Sequence, residues 1–282
     1  MQRKSEEKIA LWVMRGATAL VLIFLALILG SIIMKGLPHL NWAMLSQTPK
    51  GGYYLGKSGG ILNAIIGSLI LAGGAVGLAL VFSLPIALYL NVFLRNNHPY
   101  QYTIRFCLDV MNGIPSIIYG ALGLILMYYF NLRASLLAGI LTVALLIYPV
   151  MCRAMDELLQ NIPEQLKETA YALGSTRYEL AWRIMIRQAA PGMITAILVA
   201  LGRGIGDAAS VLFTAGFSDR IPISLMQPVA TLPLAIFFQL TSPIVEVQNR
   251  AYAAAMILTL IILSISLISR QLIKRIDRYT VK

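Results

Sequence analysis

Residues 153–187 read Arg153-Ala-Met-Asp156-Glu-Leu-Leu-Gln160-Asn-Ile-Pro163-Glu164-Gln-Leu-Lys167-Glu168-Thr169-Ala170-Tyr-Ala-Leu-Gly174-Ser-Thr-Arg177-Tyr-Glu-Leu-Ala-Trp-Arg183-Ile-Met-Ile-Arg187. This polar, basic stretch lies between two apolar runs. Asn161-Ile162-Pro163-Glu164 is a helix-start signature, a capping-type Asn before Pro with an early acidic residue. Leu166, Thr169, Ala170 and Leu173 then recur at helical spacing and make one apolar stripe. Gly174 stops that helix, and Ser175 or Thr176 caps a second piece carrying Leu180, Trp182, Ile184 and Ile186. A membrane protein with such a helix–turn–helix between spans offers a handle to a soluble partner.

The flanking composition supplies the membrane. The chain is 58% hydrophobic and 12% charged, with a mean hydropathy of +0.76. A soluble domain carries about 25% charged residues, so the expectation is a polytopic, all-α membrane protein. Six apolar runs reach the roughly 20 residues that a crossing needs: 11–34, 61–90, 106–130, 134–152, 189–214 and 251–269. The first is too long for a signal peptide and lacks a small-residue cleavage site, so it reads as an anchor. Pro85 predicts a kink or a short interfacial piece at the end of the second. No repeat or low-complexity linker interrupts the chain, which reads as one domain over 1–282.

The formal net charge of +11 fits loop orientation better than nucleic-acid binding, which needs a basic face in water with stacking aromatics. With the N-terminus inside, sixteen Lys and Arg fall on the cytoplasmic side and six outside. Both termini and the 153–187 handle are therefore expected in the cytoplasm. The Gly- and Pro-rich stretch 35–60 and the proline-rich stretch 215–250 fall outside, the latter as a structured loop or a partly re-entrant segment. Cys107 and Cys152 read as packing residues, and His39 and His98 stand apart from any ligand cluster.

Two Arg–Asp couples carry the remaining charge of interest. Arg203 lies about fourteen residues into the fifth run, about 20 Å along a helix at 1.5 Å per residue. A cation at that depth costs a few kcal/mol unless it faces water or a partner. Asp207, four residues on, is expected on nearly the same face. The couple either locks the span or holds a planar fork of donors ready for an oxyanion. Gly202, Gly204 and Gly206 around it allow close helix packing or a small aqueous path. Arg153 and Asp156 form the second couple, at i and i+3 near Pro149. They snorkel to lipid headgroups, or help an anion leave, or transmit motion of the handle. Gly51-Gly52-Tyr53-Tyr54-Leu55-Gly56-Lys57-Ser58 satisfies the phosphate-loop pattern. No buried strand precedes it and no soluble α/β domain surrounds it, so the motif is read as an entry loop to the second run and not as a nucleotide site.

The handle resembles a known family. Glu168-Thr169-Ala170-x-x-x-Gly174 matches the E-A-A-x-x-x-G loop of bacterial ABC importer permeases, with Thr169 in place of the first Ala and Ile184 at the downstream Ile. The usual Leu-Pro after that Ile is absent. Gly60-Ile61-Leu62-Asn63-Ala64, Pro115-Ser116-Ile117, Tyr171–Gly174, Gly202-Arg203-Gly204-Ile205-Gly206-Asp207, Leu212-Phe213-Thr214-Ala215 and Met226-Gln227-Pro228-Val229-Ala230-Thr231-Leu232-Pro233 narrow it. Together they are similar to the A-type permease subunits of phosphate-specific ABC importers, from about residue 59 to the C-terminus.

The resemblance implies a type I importer permease fold in a bacterial or archaeal cytoplasmic membrane. Six transmembrane helices would form half of a pore for inorganic phosphate. The coupling helix, with Glu164, Glu168, Thr169, Ala170 and Gly174, would dock on an ATPase. It further implies a transport-relevant Arg203, although the family more often has Glu where this chain has Asp207. The implied partners are a second permease subunit of the C type, two cytoplasmic ATPase subunits of the B type, an external phosphate-binding protein of the S type, and membrane lipid. No nucleic acid is expected. The chain itself is expected to bind no cofactor or metal and to catalyse nothing, since ATP and Mg belong to the ATPase. Other readings are a permease for molybdate, tungstate or sulfate, a stand-alone anion channel, or an intramembrane enzyme. The last is disfavoured because no span holds a His or facing carboxylates.

Overall fold

A computed structural model describes residues 2–50, 58–94 and 98–276. The phosphate-loop-like motif lies outside them except for Ser58. Among the described residues, five helical spans are long and apolar enough to cross a bilayer: Ala10–His39, Leu62–Phe93, Leu136–Gln160, Arg177–Gly206 and Val245–Gln271. A sixth crossing is possible only if a bent pair, Pro99–Asn112 and Ser116–Tyr129, counts as one span. The helices are α1 (Gln2–Gly36), α2 (Trp42–Ser46), α3 (Leu62–Leu88), α4 (Pro99–Asn112), α5 (Ser116–Tyr129), α6 (Leu136–Gln160), α7 (Glu164–Ala172), α8 (Arg177–Glu179), α9 (Ile186–Gly206), α10 (Leu232–Leu240) and α11 (Val245–Ile276). Wide π-turns follow α3 at Tyr89–Phe93 and join α8 to α9 at Leu180–Met185.

The expected run boundaries shift for identifiable reasons. The third run is not straight: it breaks by 97° between Asn112 and Ser116. Pro115 lacks a backbone donor and drives its predecessor out of the helical region, and Pro115 itself is extended (φ −57°, ψ 139°). The fourth continues to Gln160, since the charges past Cys152 find partners and need not leave the helix. The fifth starts at Arg177 and stops at Gly206, eight residues short of expectation. Pro85 does not end the second run: α3 passes through it to Leu88 and widens only afterwards. Asn161 terminates α6 and does not cap α7, whose N-cap position is Pro163.

The core is a three-helix packing of α3, α6 and α9, with α11 laid along α9. Association between apolar helices in lipid rests on close van der Waals fit, so small residues line the contacts. Ala75 and Ala79 on α3 and Ala200 on α9 are buried in one cluster with Val143, Ile147 and Met151 of α6. Gly204 faces the same helix, where an added Cβ would sit 3.3 Å from Val143. α1 is peripheral, with its side chains exposed along most of its length. It meets α11 at its final turn, where Lys35 Nζ lies 4.8 Å from the Tyr252 ring centre.

At the end of the bundle opposite α7, residues 215–250 form a built structure. After α9 the chain turns through 207–215 and continues to Thr231 without helix or strand, bending at 219–220 and turning again at 223–227. Along the way Thr214 O and Gln227 O accept the N–H groups of Ser135 and Leu136. Val229, Ala230, Leu232 and Leu234 are fully buried. Ala230 presses on α3 so closely that a Cβ at Gly67 would fall 2.1 Å from Ala230 O. Asn63 Nδ2 donates to Ser218 O at 2.7 Å, and the Leu232 N–H donates to Ser68 Oγ at 2.8 Å. The prolines interrupt helix, and continuous burial is confined to 229–235, while 223–228 and 243–246 are exposed.

Candidate functional site

The handle folds as its residue types dictate. α7 ends at Ala172, and the chain turns at Gly174, whose φ of +81° is the left-handed conformation that glycine adopts without penalty. Thr176 then caps α8 in a reciprocal box: its hydroxyl accepts from the Glu179 N–H at 3.2 Å, and Glu179 Oε2 accepts from the Thr176 N–H at 3.1 Å. Ala170 and Ile162 are buried against the bundle. Glu164, Glu168, Thr169 and Gly174 face outward, and Lys167 Nζ reaches Glu164 at 3.0 Å. Beside them stand apolar groups that nothing in the chain covers: Leu173 is 80% exposed and Tyr178 65% exposed. A charged rim around exposed apolar anchors is the anatomy of a docking surface.

The Arg153–Asp156 couple sits within a larger network just before α7. Asp156 is fully buried, and its two oxygens accept five hydrogen bonds. Arg105 donates Nε at 2.8 Å and Nη2 at 3.0 Å, Arg153 Nη1 at 2.8 Å, Gln160 Nε2 at 2.7 Å and Asn91 Nδ2 at 2.8 Å. Arg153 Nε also donates to Asp109 of α4 at 2.8 Å. A buried carboxylate met this completely is charge-compensated, and removing one partner of such a pair costs about 3–5 kcal/mol. The spacing Arg153-x-x-Asp156 and the i+4 position of Gln160 were legible as one helix face. Arg105, Asp109 and Asn91, from α4 and the π-turn after α3, were not, because nothing local links residues about fifty positions apart.

The Arg203–Asp207 couple is not brought together. α9 ends at Gly206, and Asp207 is extended (φ −82°, ψ 124°). Its carboxylate turns back to accept the Ser210 N–H at 2.8 Å. The i,i+4 relation holds only while the helix continues, and here it does not. Arg203 is exposed and, among the described residues, makes no salt bridge. The flanking glycines divide their work: Gly204 packs on α6, Gly206 approaches Ile262, and Gly202 has open space where a Cβ would be. Gly202 lines a groove of about 480 Å³ between α9 and α11, and a second of about 470 Å³ runs between α6 and α9. Both include Thr195 and Val199, so the exposed face of α9 fronts open space along its length.

Comparison with known proteins agrees over nearly the whole chain. Residues 79–280 match the family described as binding-protein-dependent transport system inner membrane component. The phosphate transport system permease protein PstA of Haemophilus influenzae is 31% identical over 275 residues, covering 95% of this chain and 94% of the relative. The probable phosphate transport system permease protein PstA of Methanocaldococcus jannaschii is 30% identical, covering 93% and 92%. Among solved structures, the inward-facing MetNI methionine ABC transporter superposes with a TM-score of 0.65 at 18% identity, over 77% of this chain and 95% of that one. A bacterial alginate ABC transporter does so at 0.59 and 16%, over 100% and 99%. At such identities the structural likeness speaks to fold alone.

Proposed function

The chain belongs to the binding-protein-dependent transport system inner membrane component family, and on that premise we propose that it is the permease subunit of an ATP-driven importer of inorganic phosphate. It is a multi-pass protein of the cytoplasmic membrane. The observation that carries the substrate assignment is the relation to phosphate transport permeases at 30–32% identity over 85–95% of this chain. α7 and both termini face the cytoplasm in this reading, as the excess of basic residues there supports. A second permease of the C type completes the pore along the open face of α9. Two ATPase subunits hold ATP and its magnesium and grip the coupling turn through Glu164, Glu168, Thr169 and Gly174, while Ala170, expected at the same contact, is buried and seats the turn on the bundle. An external phosphate-binding protein delivers the anion.

Arg203 is the cation we assign to the path. Its guanidinium is exposed, has no carboxylate partner among the described residues and stands next to the open space at Gly202. A planar fork of donors suits a phosphate oxygen pair, and a single such group compensates charge without holding the ion fast. Asp207 lies at the same helix end and shapes the turn there through Ser210. Arg153 and Asp156, whose donors and oxygens are already engaged with each other and with α4, belong instead to the coupling machinery.

The test is ATP-dependent uptake of labelled oxyanions by the four-component complex in liposomes loaded with ATP and magnesium, with the binding protein outside. Uptake of labelled phosphate that excess sulfate or molybdate does not suppress supports the reading. Uptake of labelled sulfate or molybdate with none of labelled phosphate would assign a different oxyanion. Flux without the ATPase would make the chain a channel.

A further inference from the structure

The four charges at the α7 end cross-pair between two helices. Arg105 and Asp109 lie four apart on α4, and Arg153 and Asp156 lie three apart on α6. Arg105 grips Asp156 with two parallel bonds, while Arg153 reaches back to Asp109. The set is neutral as a group, and both oxygens of Asp156 are consumed. An arriving anion would have to displace a buried carboxylate, so the network is unsuited to carry substrate. It is suited to hold α4 rigidly to α6.

Both ends of that linkage matter. α6 passes directly into α7 through Asn161–Pro163, so whatever moves the coupling turn moves Asp156. The π-turn Tyr89–Phe93 joins the same junction. Leu90 O accepts Gln101 Nε2 of α4 at 2.7 Å, and Phe93 O accepts Arg177 Nη1 at 3.2 Å. On the other side, α4 is tied across the 97° bend by Tyr119 Oη donating to Met111 O at 2.8 Å. α5 in turn lies against the turn that follows α9: a Cβ at Gly120 would sit 2.8 Å from Ala209 O. The contacts therefore run continuously from α7 to the neighbourhood of Arg203.

We propose that the Arg105–Asp156–Arg153–Asp109 network passes the stroke of the coupling turn to the broken span α4–α5, with Arg105 as a positioning residue for transport. This rests on the reading that an ATPase grips α7. Contiguity alone does not establish coupling, so the test must read motion as well as transport.

The assembled complex carries a spin label on Cys107, which is exposed on α4 while Cys152 is buried, and a second on Leu263→Cys, on the exposed face of α11. The wild-type distance is expected to change between the nucleotide-free and ATP-trapped states. In Arg105→Gln the change is expected to vanish, ATP hydrolysis to continue, and ATP consumed per phosphate imported to rise at least about fivefold. Arg105→Lys should restore part of both. A wild-type displacement in Arg105→Gln, or import and hydrolysis falling in proportion, would overturn the proposal. So would an immobile α4 in the wild type, or failure of both Arg105 variants to assemble, which would make the network a folding element. A wild-type complex whose label distance responds to ATP but which imports no phosphate would sink the substrate reading and leave this one standing.

Discussion

Arg153–Asp156 and Arg203–Asp207 look alike in the sequence, an arginine followed within one helical turn by an aspartate, yet they fold into opposite arrangements. The first couple lies inside a helix that continues four residues past the aspartate. The register survives, the side chains meet, and α4 closes the network from outside. The second straddles the last residue of α9. The backbone leaves the helix at Asp207, the carboxylate finds an N–H in its own turn, and the guanidinium is left exposed. One couple is saturated and rigid; the other presents a bare cation beside open space. Spacing sets what two charges are able to do, and the helix end decides whether they do it.

The sharpest challenge to this contrast is stability. Asp156→Ala leaves Arg105 and Arg153 facing each other in a buried site and should cost about 3–5 kcal/mol, seen as the largest fall in thermal midpoint of the purified complex in detergent. Asp109→Asn removes the outer, half-exposed partner of Arg153 and should cost about 0.2–1 kcal/mol, as exposed pairs do. A cost for Asp109→Asn equal to that of Asp156→Ala would mean the network has no buried centre. Arg203→Gln removes a charge with no salt bridge and should change stability by less than about 0.5 kcal/mol. Asp207→Asn should do least of all. Its amide oxygen still accepts the Ser210 N–H, and import should stay within about twofold, under 0.5 kcal/mol at 1.4 kcal/mol per tenfold. A large import defect in Asp207→Asn would show that the two residues act as a pair during the cycle after all.

The parts of the fold that rest on local signals were legible. Apolar length located the spans, Pro163-Glu164 marked the start of α7, and Gly174 marked its turn. Boundaries set by tertiary partners were not. α6 overruns the apolar stretch because Arg105 neutralises Asp156 and Asn91 donates a hydrogen bond to it. The third run breaks at Pro115, a residue that the apolar pattern alone passes over. Residues 229–231 read as loop yet are buried, because α3 packs Gly67 against the backbone of Ala230, while Asn63 of the same helix bonds the chain at Ser218. At the site, the outward face of the handle was visible as a motif, while Arg105 is recognisable only once α4 lies beside α6.

The account stands most directly on phosphate import by the Arg203→Gln complex in liposomes, measured beside its ATP hydrolysis and subunit composition. It predicts an intact complex that still hydrolyses ATP and imports phosphate at least about tenfold more slowly, a loss of about 1.4 kcal/mol or more at the barrier. Import at the wild-type rate would contradict it and remove the unpaired arginine from the path.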